Sequence, residues 1–161
     1  MPRPPRAVTR YGPAMAVDVT TEVVIARPVE EVAAFAADPG NATAWYRRIH
    51  AVRWLTDPPV QVGTRTEFVA QFLGRRLVYT YEVVELVPGR RLTMSTAEGP
   101  FPMRTTYAWD PVGDGATRMT LRNSGEPSGF ARVGAPAMAA AMRRANEADL
   151  ALLKRLLEQG T

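Results

Sequence analysis

The sequence predicts an α+β domain in which a curved antiparallel sheet of about seven strands is covered by one long C-terminal helix. Alternating, β-branched segments recur from residue 17 to residue 123, and most are joined by hairpin-length connections. Two short helical segments follow the first of these strands directly. The ~30 residues from Ser128 show helical spacing and would span roughly 45 Å, which is long enough to cover a strongly bent sheet.

The first strand is predicted at Val17–Arg27, where VDVTTEVVIAR alternates and is rich in β-branched residues. Pro28 then suits a first helical turn, which needs no N–H at that position, and PVEEVAAFAAD continues with helical spacing. Asp38–Gly40 breaks this helix. The segment NATAWYRR predicts a second short helix, with Asn41 as its N-terminal cap.

Six further strands are predicted between His50 and Asn123, in HAVRWLT, TRTEFVAQFL, RLVYTYEVVEL, LTMST, PMRTTYAWD and TRMTLRN. The turns at Gly74-Arg75, PGRR and PVGDGA favour an antiparallel meander. Thr105 and Asn123 lie on the predicted inward face of the sheet and offer hydrogen bonds there. The same face carries the large side chains of Phe68, Phe72, Tyr79, Tyr81, Met94, Met103, Tyr107 and Trp109.

Length and composition predict one domain over residues 15–161, preceded by a disordered, Pro/Arg-rich leader at residues 1–14. The leader supplies three of the four formal positive charges, and the other arginines are interleaved with glutamates. Because no basic stripe results, the sequence does not predict nucleic-acid binding. Met15 is an alternative translation start.

The residue content narrows the chemistry and the location. There is no cysteine, which excludes disulfides, thiolate nucleophiles and cysteine-based zinc sites. No apolar run reaches the length of a membrane span, and the N-terminus lacks a secretory signal, so we expect a cytoplasmic protein that is not an integral membrane protein. No nucleophile elbow, phosphate loop or metal-spaced cluster is present, and we expect no cofactor and no metal.

Three segments resemble the SRPBCC superfamily, which is also called START-like or polyketide cyclase/dehydratase and lipid transport. They are EVVIARPVEEVAAFAADPGNATAWY, FLGRRLVYTYEVVELVPGRRLTMST and ATRMTLRNSGEPSGF, and the resemblance extends from Val17 to Leu157. It implies a helix-grip fold, in which a curved sheet wraps the last helix around an apolar cavity. Members of the superfamily use this cavity for lipids, sterols, hormones and polyketides, or serve as interaction modules.

The last helix changes its composition along its length. The half within GFARVGAPAMAAAMRRAN is built from alanine with Met138 and Met142, whereas ADLALLKRLLEQ is rich in leucine. We interpret the small half as the cover of a cavity, since methionine adapts to varied ligands. Pro136 is expected to kink or restart the helix and to tilt Gly129–Gly134 as a lid. The alternative is close packing of helix on sheet without a void.

The candidate ligand-binding set joins the eight large inward residues to Met138, Met142 and Asn146. Taken alone, most of these residues are better explained as ordinary core, but Tyr79, Tyr81 and Tyr107 together are more polar than a sealed core needs, so we expect one or two of them to face a pocket. Asn146, one turn beyond Met142, is either bonded to a strand or presented to a ligand. Arg143 and Arg144 are predicted to be solvated, and the single histidine, His50, has no readable catalytic partner.

These observations favour a protein that binds a hydrophobic, lipid-like or polyketide-like small molecule in an internal cavity, as a monomer or homodimer. One alternative is a polyketide cyclase or dehydratase that positions a flexible chain and polarises a carbonyl with Tyr79, Tyr81 or an arginine. Another is a protein-interaction module whose pocket is vestigial.

Overall fold

A computed structural model describes residues 17–126 and 134–160, and within them seven strands form one antiparallel sheet in the order β1-β7-β6-β5-β4-β3-β2. This is the predicted helix-grip architecture, with two short helices after the first strand and a long C-terminal helix. The strands are β1 Val17–Ile25, β2 Ile49–Trp54, β3 Arg65–Phe72, β4 Arg75–Val87, β5 Arg91–Glu98, β6 Met103–Val112 and β7 Ala116–Gly125. The helices are α1 Val29–Ala37, α2 Ala42–Trp45 and α3 Ala135–Gln159.

The connection between α1 and α2 differs in one detail from the predicted cap. Pro28 precedes α1 as expected, and the Asp38 carboxylate accepts the Gly40 N–H at 2.8 Å at the start of a single 3-10 turn, Pro39–Asn41. Asn41 occupies the cap position of α2, but its side chain makes no capping hydrogen bond. Its Nδ2 instead donates to the carbonyl oxygen of Phe35 at 3.1 Å, because the 3-10 turn places the amide beside the end of α1.

Two register irregularities interrupt the pairing of β4 with β5. The pairing of β4 with β5 shifts between Thr80 and Tyr81 and again between Val83 and Glu85. Bulges of this kind bend a strand and increase its local twist. The inward alternation predicted for β3 holds, with Thr66, Phe68 and Ala70 buried and Phe72 half-buried.

Helix α3 is tied to the edge strand β1 by side chains that bond the backbone of that strand. Arg143 donates to the carbonyl oxygen of Thr20 at 3.0 Å, and Lys154 donates to that of Val24 at 2.7 Å. These bonds satisfy carbonyls that an edge strand would otherwise leave open to another chain. Arg143 was predicted to be solvated; it is exposed, and it also donates the hydrogen bond to Thr20.

Of the kink or restart predicted at Pro136, the structure shows the restart, and the helix does not run through Gly134 as the predicted span from Ser128 would require. The helix begins at Ala135, so Pro136 lies in its first turn, where a missing N–H costs nothing. Gly134 precedes the helix with φ +83°, a left-handed conformation that glycine adopts without the strain of other residues. Ser128 as a cap, the lid residues Gly129 to Val133, the leader at residues 1–14 and the Met15 start lie outside the described residues.

Candidate functional site

An apolar cavity of about 180 Å³ lies between the sheet and the N-terminal half of α3. It exceeds the engineered cavity of about 150 Å³ that binds benzene. Its wall contains residues from α1, α2, strands β2 to β7 and α3. Ten of the eleven predicted site residues lie on this wall: Phe68, Phe72, Tyr79, Tyr81, Met94, Met103, Tyr107, Met138, Met142 and Asn146.

Trp109 is the predicted site residue that the structure places elsewhere. It faces inward on β6, but it belongs to the packed core with Leu150 and Leu153 and is 2% exposed. The alternation along β6 correctly predicts that Trp109 faces inward. Its position along the strand, however, lies beyond the end of the cavity. Its Nε1 has no hydrogen-bond partner among the described residues, so this indole N–H is buried without a bond.

A chain of three side chains fixes the Tyr81 hydroxyl. Thr105 Oγ1 donates to Asn123 Oδ1 at 2.7 Å, and the oxygens of Tyr81 and Thr105 are 2.8 Å apart. Because a hydroxyl has one proton, the Tyr81 O–H is the donor in the second bond. Burial raises the pKa of Tyr81 to about 12, so this phenol stays neutral. Tyr81 therefore offers the cavity an acceptor and no proton.

The Tyr46 and Tyr107 hydroxyls form a second bond across the cavity wall. One of the two phenols donates to the other, which leaves one O–H of the pair available. Burial raises the pKa of both groups well above the usual value, so both remain protonated near neutral pH. Tyr46, at the end of α2, was not predicted, because its contact with Tyr107 joins residues 61 positions apart.

Tyr79 differs from the other three tyrosines. Its ring stacks on Phe68 with centroids 5.6 Å apart and meets Tyr81 edge-on at 5.2 Å. Among the described residues, its hydroxyl has no hydrogen-bond partner. Burial raises its pKa, so a neutral O–H faces the cavity.

Two further donors on the cavity wall lack partners within the part of the chain that the structure describes. Asn146 is 6% exposed and its Nδ2 makes no hydrogen bond, and the same is true of Trp45 Nε1. Leaving a buried donor unpaired costs about 1–3 kcal/mol. Among the described residues no strand group accepts from Asn146 Nδ2, so this amide lies on the cavity wall with an unpaired donor.

Asp149 is a wall residue that sequence reasoning missed. It is 4% exposed and accepts the backbone N–H of Arg47 at 3.1 Å. Burial raises its pKa to about 6, although Arg48 and Arg47 oppose the shift. The sequence does indicate that Asp149 faces inward, because residues 142, 146, 149, 150 and 153 share one face of a helix. An acid on that apolar stripe marks an unusual position.

The other candidates lie at the surface. His50 is exposed, and it lies with Arg144 beside an open groove next to the cavity. Within residues 17–126 and 134–160, no three His, Asp or Glu side chains are placed to hold a metal ion together. No described helix is long and apolar enough to cross a membrane.

The curved sheet, the long helix and the apolar cavity between them define the helix-grip class of proteins. The chain belongs to the family of polyketide cyclase/dehydrase and lipid transport proteins, whose model matches residues 16–158. No curated protein matches the chain in sequence.

Solved structures share the fold at low sequence identity. The protein TTHA0849 from Thermus thermophilus is 22% identical with a TM-score of 0.75, over 89% of this chain and 99% of that one. The Zhui aromatase/cyclase from Streptomyces sp. R1128 is 18% identical with a TM-score of 0.70, over 87% and 92%. A START superfamily protein from Mycobacterium smegmatis is 16% identical with a TM-score of 0.66, over 88% and 94%.

Proposed function

We propose that this protein binds an apolar small molecule whose hydrogen-bond acceptors, such as ketone oxygens, meet the donors of the cavity wall. The observation that carries the proposal is the Asn146 amide, which is buried in an apolar cavity with an unpaired Nδ2. Trp45 Nε1 is likewise buried without a partner, and the Tyr79 hydroxyl has no partner among the described residues. A cavity that served only as a packing defect would gain stability from apolar residues at these positions.

The balance of donors and acceptors narrows the ligand class. The free donors come from Asn146, Tyr79, Trp45 and the Tyr46–Tyr107 pair, whereas the acceptors are Tyr81 and Asp149. A saturated hydrocarbon leaves every one of these donors unpaired, but a ring ketone satisfies at least one of them. The volume of about 180 Å³ fits a body of one or two rings. A lipid-like or polyketide-like ligand would place a part of this size inside.

A matched pair of ligands tests the proposal. We expect α-tetralone to bind about three- to tenfold more tightly than tetralin, because one neutral hydrogen bond contributes about that much. In Asn146→Leu this ketone preference should shrink while tetralin affinity holds or rises. Equal affinities of the two ligands in the wild type would contradict the proposal, as would an unchanged preference in the variant.

Native mass spectrometry of freshly purified protein complements the matched pair. A discrete extra mass that is released by denaturation and contains a carbonyl group supports the proposed ligand class. A co-purified hydrocarbon without oxygen argues against it.

A second candidate function is a polyketide cyclase or dehydrase reaction, as the family description and the aromatase/cyclase neighbour suggest. The specific observation that favours it is Asp149, whose pKa of about 6 suits a general base near neutral pH. Its carboxylate would remove an α-proton from a bound polyketone, and the resulting carbanion would attack a carbonyl carbon. The Tyr79 O–H would donate to the developing alkoxide, and loss of water would follow.

Turnover of a synthetic poly-β-keto thioester tests this second function. The rate of the wild type should rise with pH through a pKa near 6, because the base must be ionised. Asp149→Asn should abolish that limb and lower kcat more than KM. A rate of cyclisation equal to that of the uncatalysed thioester, or a fully active variant, rejects the enzyme hypothesis and leaves the binding hypothesis intact.

A further inference from the structure

An open groove lies outside the cavity, on the side of α3 that faces the β3–β4 hairpin. It has a volume of about 620 Å³, and its walls come from the turn before β2, the end of β3 and the middle of α3. The α3 wall consists of alanines 141, 145 and 148 with Arg144 and Asp149. These small side chains lie at helical spacing and leave the groove wide.

The groove has more positive than negative charge. Arg47, Arg48 and Arg144 line it with exposed side chains, and the only carboxylate on its wall is the buried Asp149. Within the described residues, none of these three arginines has a carboxylate oxygen within ion-pair distance. On the outer sheet surface the pattern is different, since Arg122 pairs with Asp18 at 2.6 Å and Arg53 with Glu67 at 3.1 Å.

The groove and the cavity share a wall. Arg48, Gln71, Phe72, Ala145 and Asp149 line both of them. The guanidinium carbon of Arg48 lies 5.6 Å from the centroid of the Phe72 ring, a cation–π contact that holds the cation at this boundary. The groove therefore lies directly beside the cavity, with Arg48 at the boundary between them.

We propose that the groove binds an anionic group, a carboxylate or a phosphate, of the ligand whose apolar body occupies the cavity. The inference rests on the proposed function, and it adds a charged end to the ligand class. Guanidinium groups match the geometry of both anions and bind them with two parallel hydrogen bonds. The free ligand is then an amphiphile, with rings or chain inside and one anion at the surface.

Three probes that share an apolar part test the proposal: 6-phenylhexanoate, 6-phenylhexyl phosphate and the neutral 6-phenylhexanamide. Their phenyl ring suits the cavity, and the alkyl chain reaches outward. We expect one or both anions to bind about tenfold more tightly than the amide at low ionic strength, with the advantage falling as salt is added. The tighter of the two anions identifies the head group.

The variants separate the groove from the cavity. Arg48→Gln with Arg144→Gln should remove the advantage of the anions over the amide, whereas Arg48→Lys with Arg144→Lys should retain most of it. Arg155→Gln, an exposed arginine on the same helix, is the matched control and should change nothing.

Each other outcome overturns the inference in a recognisable way. If all three probes bind equally, or if the double glutamine variant keeps the preference for anions, the groove proposal fails while the cavity proposal survives. If none of the probes binds, both proposals fail together.

Discussion

The two halves of α3 face two kinds of interior. In the C-terminal half, Leu150, Leu153 and Leu157 are at most 5% exposed and pack into the main core with residues of α1 and the sheet. In the N-terminal half, Met138, Met142 and Asn146 are also buried, but they line a cavity. Burial alone therefore does not distinguish a packed interior from a hollow one. The difference lies in side-chain size and polarity, and the sequence displays it as leucine against alanine and methionine.

Truncation should destabilise the packed half more than the hollow half. Leu153→Ala removes a fully buried side chain and should lower the free energy of unfolding by about 3 kcal/mol, because a new void forms in a dense core. Met142→Ala should lower it by about 1 kcal/mol, since part of the methionine surface already faces a void. Urea denaturation of both variants measures the difference. Equal losses would show that the cavity wall is as tightly packed as the core.

Asp149 lies at the boundary between the two halves, and it should give the protein a characteristic pH dependence. Burial raises its pKa from 3.8 to about 6, so the folded protein binds this proton more tightly than the unfolded chain. The free energy of unfolding should then fall as the pH rises from about 4 to about 6, by about 2–3 kcal/mol in total.

Two variants isolate this effect. Asp149→Asn should remove the decline, so that the variant is more stable than the wild type at about pH 7.5 and similar to it at about pH 4. Asp18→Asn should instead lower the stability by a similar amount throughout this range, because the Arg122 hydrogen bond lowers the pKa of Asp18 below 3.8 and the stabilisation is lost only at more acidic pH. Denaturant titrations across this pH range provide the measurement. A wild-type decline that persists in Asp149→Asn would assign the pH dependence to another group.

The sequence predicted the elements of the fold and most of the cavity wall because those signals are local. Alternation along β3 and β4 placed Phe68 and Tyr79 inward, and the structure agrees. The same alternation failed for Trp109, because it reports the face of a strand and carries no information about where a cavity ends. The predicted helical span from Ser128 failed at Gly134, whose left-handed conformation sets the boundary, whereas the restart predicted at Pro136 agrees with the structure.

Contacts between residues far apart in the sequence could not be predicted from local patterns either. Tyr46 belongs to the site through Tyr107, and the unpaired state of Asn146 and the hydroxyl of Tyr79 depends on what every neighbouring strand offers. No local pattern contains these facts. Asp149 is an intermediate case, because the helical spacing that places Met142 and Asn146 inward also places this acid inward.

Enlarging one side chain should weaken ligand binding in the hollow half and stability in the packed half. Met142→Trp directs a larger ring into the cavity and should weaken binding of an apolar ligand more than tenfold, while the melting temperature changes by only a few degrees. Leu153→Trp, the same enlargement in the packed half, should destabilise the domain by about 3 kcal/mol or prevent folding, because overpacked cores force backbone shifts. Calorimetry with and without α-tetralone reports both quantities. Unchanged ligand affinity in Met142→Trp would place the ligand outside this cavity.

The smallest expected effect distinguishes two tyrosines within the hollow half. Tyr81→Phe should lower the free energy of unfolding by about 1 kcal/mol, because Thr105 loses its donor, and should leave ketone affinity unchanged. Tyr79→Phe should leave stability nearly unchanged and lower ketone affinity three- to tenfold, because its hydroxyl has no described partner but can donate to a ligand. The two variants remove the same atom from neighbouring inward positions of β4, so each is the control for the other. Should Tyr81→Phe be the variant that loses affinity, the hydrogen-bond chain would have to reverse on binding, with Asn123 Nδ2 donating to Thr105 and the Tyr81 proton turned toward the ligand.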